Sequence, residues 1–353
     1  MSGGLYGGGI KELAAAEVAP RSLPDPDRQV SVDNPFCGDR VDLQIKLENG
    51  RVTALAQHVR GRMLCQAAAN AVHFHIDDTA NRILDQHPIV KQQRNSERTR
   101  SRSGVYSSGL IATTEEGHRI ILFETNIGHA GEFIDDVLSL RDSHSPPPLL
   151  MSDALSSNTP SKPYPIIPSL CNSHARRQFV DVISHFPEEV EWLLERYGEI
   201  WAREQEAHAL TAADRLAYHQ ARSLPVMEEL LAWGQAKLDD GAVEENSGLG
   251  QAIRYFIKHY EGLTAFCRIE GAQLDNNLME GQLKLVVRNR KNAMFHKTLA
   301  GASVADVVTS MIATASWAGL NVFDYFNTLQ RQQQDVKAQP ERFLPWNYQQ
   351  HHA

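Results

Sequence analysis

The segment Gly104–Asn126, GVYSSGLIATTEEGHRIILFETN, contains two runs of apolar and β-branched residues separated by Glu116-Gly117. Such runs on either side of a polar pair with glycine predict two strands joined by a turn. Two more strand candidates flank them: VHFHI at 72–76 and the proline-bounded LLMS at 149–152. Residues 174–265 are strongly helix-forming instead, so the sequence predicts a sheet combined with many helices.

The composition is typical of a folded protein with a sizeable core. The chain has 353 residues, of which 42 % are apolar and 22 % charged, and its formal net charge is −8. No apolar run approaches the roughly 18 residues needed to cross a bilayer, and the first residues lack the pattern of a secretory signal. Four widely spaced cysteines favour a reducing compartment. We therefore expect a cytoplasmic protein without a membrane partner. The net negative charge does not exclude a local basic surface.

Three acidic residues occupy positions where a metal site could form. Asp77 and Asp153 each follow an apolar strand, and Glu280 lies on a helix over roughly 276–288 that LDNN can cap. Acids at the ends of adjacent strands meet at one sheet edge, and a helix packed across that edge can bring a third. Oxygen ligands of this kind suit Mg²⁺ or Mn²⁺. Two such ions, about 3.5–4 Å apart, can activate a water or a 3′-hydroxyl and stabilise a leaving oxygen.

Each of these acids also has an ordinary structural interpretation. An Asp at a strand end is usually a turn or cap residue, and a single Glu on a helix is usually solvated. Lys284 and Arg288 follow Glu280 at four and eight residues, on the same helix face. That face could hold metal and phosphate, or it could be a solvated face with one Glu–Lys pair.

Basic side chains are concentrated in a few short segments. They are candidates for contacts with DNA phosphates, which contribute affinity but do not depend on the base sequence. Each segment alone is more often a plain solvated surface. The segment 91–104, KQQRNSERTRSRSG, is predicted to be an exposed loop. The residues predicted to contact DNA are Arg176, Arg177, Lys284, Arg288, Arg290 and Lys291.

The segment CNSHARR, 171–177, pairs Cys171 with His174. A zinc site would need a second ligand pair, and none is evident nearby in the sequence. A nucleophilic role for Cys171 has still less support. His73 and His75 alternate on the first strand and are expected to be structural.

From about Val72 to its end, the chain resembles the insertion-sequence-66 family of DDE-type transposases. The resemblance is carried, in order, by HIDDTANRIL, SGLIATTEEGHRIILFETNIGHAGEFIDDVLSLR, LLMSDALSSN, CNSHARRQFVDVISHFPEE, NSGLGQAIRYFIKHY, LDNNLMEGQLKLVVRNRKNAMFHKT and LPWNY. It implies a ribonuclease-H-like core in which Asp77, Asp153 and Glu280 are the catalytic acids and hold two Mg²⁺ or Mn²⁺ ions. It also implies that the partners are insertion-sequence ends and target DNA, bound by a homo-oligomer.

The first 71 residues resemble a different family. VDLQIKLENGRVTALAQHV alternates polar and apolar residues around Asn49-Gly50, which predicts a β-hairpin. The longer segment VDNPFCGDRVDLQIKLENGRVTALAQHVRGRMLCQAAANAV is similar to NifU-like iron–sulfur cluster scaffold proteins. That resemblance implies Cys37 and Cys65 as cluster ligands. The switch between the two resemblances, near Ala71–Val72, suggests a gene fusion.

The predicted fold class is α/β, with a ribonuclease-H-like mixed sheet core, an all-helical insertion and a preceding partial α+β fragment. The predicted function is DNA transposition by metal-dependent phosphodiester cleavage and strand transfer. Two alternatives stay open: an inactive DNA-binding remnant of a transposase, and an iron–sulfur scaffold-like protein with a transposase tail. The predicted divisions are 1–71 (NifU-like fragment), 72–172 (first part of the core), 173–272 (helical insertion), 273–335 (second part of the core, with the Glu280 helix) and 336–353 (tail).

Overall fold

A computed structural model of the protein describes residues 28–33, 40–45, 47–48, 51–52, 64–92 and 99–352. The chain divides into two compact units, Met1–Ala54 and Leu55–Ala353. The domain boundary predicted between residues 71 and 72 lies inside the second unit, and the predicted divisions stay predictions.

Strands dominate the described part of the first unit. They are β1 (Arg28–Asp33), β2 (Arg40–Ile45), β3 (Leu47–Glu48) and β4 (Arg51–Val52). β1 pairs with β2, and β3 pairs with β4, both antiparallel. Leu47 lies opposite Val52 and Glu48 opposite Arg51, so the antiparallel pairing predicted for this segment is confirmed. Cys37, a predicted cluster ligand, lies outside the described residues.

The second unit is built on a mixed sheet. Its described strands are β5 (His73–Asn81), β6 (Ile89–Gln92), β7 (Thr99–Arg102), β8 (Val105–Thr113), β9 (Arg119–Asn126), β10 (Leu149–Ser152) and β11 (Ile167–Leu170). Five of them form one sheet in the order β11-β10-β5-β8-β9. β5, β8 and β9 are antiparallel neighbours, whereas β10 is parallel to β5 and β11 is parallel to β10. The strand predicted at LLMS is therefore confirmed, and so is a strand at VHFHI. The prediction that Asp77 follows the end of that strand is wrong: β5 continues to Asn81, because the polar residues after Ile76 keep pairing with β8.

The turn between β8 and β9 lies where the sequence predicts it. Gly117 has a φ of +85°, a backbone conformation that glycine adopts without the steric cost a side chain would bring. β8 and β9 pair from Tyr106 opposite Asn126 to Thr113 opposite Arg119. The two strands expected from Gly104–Asn126 thus form one antiparallel hairpin.

The basic segment 91–104, predicted to be an exposed loop, contributes to a small two-stranded sheet. β6 pairs antiparallel with β7, with Ile89 opposite Arg102 and Gln92 opposite Thr99. The loop prediction is wrong for the paired residues, because backbone hydrogen bonds between extended segments do not require apolar side chains. Residues 93–98 lie outside the described part of the chain.

Helices cover both faces of the sheet and form the long segment after β11. They are α1 (Cys65–Ala69), α2 (Ala130–Leu138), α3 (Asn172–Val180), α4 (Pro187–Ala207), α5 (Ala212–Arg222), α6 (Leu224–Asp239), α7 (Gly248–Leu263), α8 (Asn277–Ala293), α9 (Leu299–Trp317), α10 (Val322–Arg331), α11 (Gln333–Ala338) and α12 (Pro345–His352).

Two separate cores form because alternate residues of the strands face opposite sides of the sheet. On one side, Phe74 and Leu110 pack with α2 residues such as Ile134. On the other side, Ile121 packs with Met279 of α8. The arrangement of helices on both faces of a mixed sheet confirms the α/β class.

The edge strand β9 is covered by helix α9 rather than by another strand. Polar side chains four residues apart on α9 accept the backbone N–H groups along this edge, which would otherwise lack partners. By length and composition alone α9 could cross a membrane, as core helices of globular proteins also can. The three hydrogen bonds run from the N–H of Thr125 to Asp306 (2.7 Å), of Phe123 to Ser310 (2.9 Å) and of Ile121 to Thr314 (3.0 Å).

Helices α3 to α7 form a helical segment, which we call the insertion, with a core of its own. Phe179, Leu193, Tyr197, Ile253 and Phe256 are all buried there. The insertion leads back to the sheet through α8, the helix that carries Glu280.

Candidate active site

Asp77 and Asp153 come together through the pairing of β5 with β10. The two strands run parallel, with His75 opposite Met151. The same register continued by two residues brings Asp77 level with Asp153. Side chains two residues apart on a strand point to the same face of the sheet. Asp77 therefore shares a face with His75, and Asp153 shares it with Met151.

Asp77 lies in an environment that disfavours its charge. Burial is the largest cause and raises its pKa to about 7, and the carboxylates of Asp153, Asp78 and Glu280 raise it further. The backbone N–H of Asp78 donates to Asp77 Oδ1 at 2.8 Å and opposes this shift. A carboxyl group held this way is a typical functional-site feature, since a cation would relieve the repulsion.

Asp153 is oriented by the short turn that follows it. Its Oδ1 accepts the backbone N–H of Leu155 at 3.1 Å and the side-chain amide of Asn158 at 2.9 Å. Asn158 is 1 % exposed, and its Oδ1 has no hydrogen-bond partner among the described residues. The sequence did not single out Asn158, because an isolated asparagine five residues after an acid has no periodic signal.

Asn276 fixes the start of α8, and therefore the position of Glu280. Its side chain is fully buried. Asn276 Oδ1 lies 3.0 Å from His75 Nδ1, and Asn276 Nδ2 donates to the Ile76 carbonyl at 2.9 Å. Its backbone N–H donates to Cys171 Sγ at 3.2 Å. The end of β11 and the middle of β5 are thus both tied to the residue that precedes the helix.

The same contacts determine the protonation of His75. Since Asn276 Nδ2 is the donor to Ile76, Asn276 Oδ1 must be an acceptor and His75 Nδ1 carries the hydrogen. Burial is the main cause that lowers the pKa of His75 to about 4, so the ring is neutral. This agrees with the structural role expected for His75.

Replacing Asn276 with alanine is expected to lower the free energy of unfolding by about 2 kcal/mol, because His75 and the Ile76 carbonyl lose buried partners. Urea denaturation measures the change. Asn277→Ala is the matched control, since Asn277 is the exposed next residue, and it should change stability by less than about 0.5 kcal/mol. Equal effects of the two substitutions would contradict the anchoring role of Asn276.

Asp77, Asp153 and Glu280 line one cavity of about 350 Å³, which we call the acid cavity. The structure therefore brings together the three acids that the sequence singles out. Two of the predicted cations, Arg177 and Lys284, line the same cavity. The other residues around it are Asp78, Thr79, Leu155, Asn158, His174, Leu283 and Val287.

His174 is a member of the acid cavity that the sequence noted only as a possible zinc ligand. Its Nδ1 lies 3.8 Å from Glu280 Oε1, and neither atom has a hydrogen-bond partner among the described residues. Together with Cys171 Sγ, their ligand atoms lie within 4.8 Å of one another and could hold a metal ion. Glu280 thus adds the distant ligand that local sequence could not reveal.

The thiol of Cys171 does not fit a nucleophile. It is 1 % exposed, and burial is the main cause that raises its pKa to about 11. A thiol with this pKa stays protonated at neutral pH, whereas nucleophilic attack requires the thiolate.

The predicted cations on α8 differ in their surroundings. Arg290 is partly buried, and its guanidinium donates to Thr79 Oγ1 at 3.2 Å and to the Ala80 carbonyl, so it braces the end of β5. Contact of these side chains with DNA stays a prediction. The exposed cations of the helix are Lys284, Arg288 and Lys291.

Cys65, the second predicted cluster ligand, lies at the start of α1. It is partly buried against the core that fills one side of the sheet. The iron–sulfur role of Cys37 and Cys65, and the NifU-like origin of the amino-terminal fragment, stay predictions.

Carboxylates clustered between two neighbouring strands and a helix, with cations on the adjoining helices, define a candidate nucleic-acid-processing site. Residues 49–304 match the family described as Transposase IS66 family. This match covers more than two thirds of the sequence, and the chain belongs to the IS66 transposase family. The matched region begins at residue 49, whereas the resemblance noted in the sequence begins at about Val72.

Two curated relatives from Sinorhizobium fredii (strain NBRC 101917 / NGR234) are similar to the chain. "Uncharacterized protein y4jD" is 34 % identical over 191 residues, which are 52 % of this chain and 36 % of the relative. "Uncharacterized protein y4qI" is 28 % identical over 181 residues, which are 50 % of this chain and 33 % of the relative. The chain spans about a third of the length of these relatives. No solved structure matches it.

Proposed function

We propose that the protein is a DNA transposase that cleaves phosphodiester bonds and transfers strands at the ends of an insertion sequence, using divalent metal ions. The observation that carries the proposal is the single cavity lined by Asp77, Asp153 and Glu280 in a member of the IS66 transposase family. DNA is accordingly the proposed partner, bound by several copies of the chain in the cytoplasm.

The sheet supports a ribonuclease-H-like core. β9, β8 and β5 form an antiparallel meander, and β10 and β11 continue the sheet in parallel on the other side of β5. Asp77 lies on the central strand, Asp153 follows its parallel neighbour, and Glu280 is on a helix packed against β5 and β8. This agrees with the catalytic trio that the family resemblance implies.

The donor set fits hard divalent cations. Carboxylate oxygens are the ligands that Mg²⁺ and Mn²⁺ prefer, and Asp77, Asp153 and Glu280 would hold two such ions. Glu280 Oε1 lacks a hydrogen-bond partner among the described residues, and burial, together with the neighbouring carboxylates, raises the pKa of Asp77. Once bound, the ions supply activation of a water or a 3′-hydroxyl and neutralise charge on the leaving oxygen.

The surrounding residues would orient the acids and the DNA. Asn158 holds the carboxylate of Asp153, and Asn276 holds the helix of Glu280 against β5. Arg177 and Lys284 bring positive charge into the acid cavity, where they would contact the oxygens of the scissile phosphate. Arg176, Arg288 and Lys291 would contact the backbone further along the strand, and Arg290 would support β5 beside the acids.

A cleavage assay on DNA that carries the insertion-sequence ends tests the proposal. Nicked and joined products are expected with Mg²⁺ or Mn²⁺, and neither is expected in EDTA or with Glu280→Gln. Glu270→Gln, the same change at an exposed position, is the matched control and should keep activity. Salt-dependent DNA binding without cleavage would indicate an inactive remnant. Cleavage by Glu280→Gln at the wild-type rate would remove Glu280 from the site.

A further inference from the structure

A second cavity of about 450 Å³ lies beside the acid cavity, between α3 and α4. We call it the side cavity. Arg177, an exposed residue, lines both cavities, so the two are neighbours. The volume falls within the range of about 300–1,000 Å³ that is usual for sites of small organic groups.

The side cavity combines apolar walls with a cationic rim. Val180 of α3 and Leu194 and Trp201 of α4 supply the walls. Arg176 and Arg177 supply the rim; both are exposed, and no carboxylate of the described residues forms an ion pair with either. This combination favours a group with a flat apolar body attached to negative charge.

Trp201 is held in place as part of the wall. Its ring centroid lies 5.4 Å from that of the buried Tyr197, with the ring planes 52° apart. Trp201 itself is only partly buried. One side of the indole is therefore fixed by the helical core, and part of its surface is open to the cavity.

Gly198 keeps the side cavity open. It lies in the interior of α4, where alanine would stabilise the helix by about 0.5–1 kcal/mol. A Cβ built at this position meets no heavy atom within 4 Å. Nothing in the packing thus requires glycine, and because Gly198 lines the cavity, a large side chain here would take up space in it.

We propose that the side cavity receives one unstacked base of the DNA strand whose neighbouring phosphate is held in the acid cavity. The inference rests on the proposed function for the identity of the strand. Trp201 stacks on the base, as aromatic side chains do in proteins that bind single strands, and Arg176 and Arg177 contact the adjoining phosphates. The shared Arg177 makes the two cavities neighbours, as adjoining nucleotides of one strand require.

The test compares two DNA probes in EDTA, so that binding is measured without cleavage. One is a duplex with a short 3′ extension of unpaired 2-aminopurine nucleotides, and the other has abasic nucleotides at the same positions. The full chain is expected to bind the first probe about tenfold more tightly, since stacking of one base on an aromatic side chain contributes a factor of that order. Its 2-aminopurine fluorescence should be quenched on binding.

Trp201→Ala and Gly198→Leu should each reduce this ratio of affinities to about one and abolish the quenching. Gly198→Leu fills the cavity without a clash at the Cβ, so it stays informative if Trp201→Ala perturbs folding. Arg176→Ala should weaken binding of both probes alike. Trp233→Ala is the matched control, because Trp233 packs on Trp192 elsewhere in the insertion, and it should leave the ratio unchanged.

A ratio of about one for the wild-type protein, or an unchanged ratio in both cavity variants, would overturn the inference. Such a result together with metal-dependent cleavage would leave the proposed function intact. A tenfold ratio that is lost in both variants, in a protein that cleaves nothing, would instead support the side cavity and refute the transposase activity.

Discussion

Asp77→Asn is expected to reduce metal-dependent cleavage by about 10³-fold or more, because transition-state stabilisation by metal ions contributes several kcal/mol. The same substitution is expected to raise the free energy of unfolding in EDTA at pH 8 by about 3 kcal/mol. The pKa of Asp77 rises from 3.8 to about 7 in the folded protein, and this difference corresponds to about 4 kcal/mol. Part of the gain is offset because the N–H of Asp78 loses a charged acceptor.

The pH dependence has a definite sign. Between about pH 4 and pH 7 the folded protein keeps the Asp77 proton while the unfolded chain releases it, so the contribution of Asp77 to stability falls as pH rises. His75 acts in the opposite direction. Its folded pKa of about 4 lies below the ordinary 6.5, so its contribution is lost as pH falls through that range. Asp77→Asn should therefore leave a stability that rises with pH between about 4 and 6.5.

Urea denaturation from pH 4 to 8, with and without Mg²⁺, measures both effects. Mg²⁺ at 100 times its Kd should stabilise the wild-type protein by about 2.7 kcal/mol and should stabilise Asp77→Asn much less. Asp85→Asn makes the same charge change at an exposed position and should leave stability and cleavage almost unaltered. Destabilisation by Asp77→Asn at pH 8 would show that burial and the neighbouring carboxylates do not disfavour the charge of Asp77.

The acids were predictable because strands and helix faces have simple periodic signals. An apolar run followed by Asp77 or Asp153 indicates a strand, and parallel pairing then makes the two acids neighbours. The end of β5 was not predictable in this way, because the polar residues from Asp77 to Asn81 continue to pair with β8. Glu280 required one more assumption, that its helix crosses the sheet edge. The anchor for that crossing is Asn276, whose side chain contacts a strand 200 residues earlier.

The supporting residues could not be found because their partners are distant in sequence. Asn276 could be taken for a helix cap, yet its side chain bonds to β5, while Asp275 accepts the N–H of Asn277 instead. His174 gains its meaning only when α3 and α8 are brought together. The polar stripe of α9 has a spacing of four residues, but that spacing alone does not show that it replaces a strand beside β9.

The second large effect concerns the helical insertion, where Glu204 of α4 is the centre of a buried charge network. Arg215 Nη2 donates to both Glu204 carboxylate oxygens at 2.8 Å. Nε2 of the fully buried His219 lies 2.9 Å from Glu204 Oε2. Arg215 Nη1 donates to the carbonyl of Ala272, in the segment leading to the Glu280 helix. Burial raises the pKa of Glu204, but the interactions with His219 and Arg215 outweigh it, and the pKa lies below the ordinary value.

Arg215→Met is expected to lower the free energy of unfolding by about 3–5 kcal/mol, because it leaves a largely buried carboxylate without its main partner. Urea denaturation followed by tryptophan fluorescence reports on the insertion, which contains Trp192, Trp201 and Trp233. The double substitution Arg215→Met with Glu204→Gln should cost less than the sum of the two single changes, since it removes both charges together. Additive costs would show that the two residues act independently.

A matched pair on the same helix separates burial from simple charge attraction. Arg203 and Glu199 form an ion pair at 3.0 Å, four residues apart, but the side chain of Glu199 is 42 % exposed. Glu199→Gln should therefore cost no more than about 0.5 kcal/mol. The pH dependence of stability should also reveal the Glu204 network. Because the pKa of Glu204 is lowered in the folded protein, its contribution to stability is complete above the unfolded pKa and is lost as pH falls through the folded pKa. If Arg215→Met lowered the free energy of unfolding as little as Glu199→Gln does, the buried network around Glu204 would not contribute measurably to stability. The contact of Arg215 with Ala272 would then not be needed to hold the Glu280 helix.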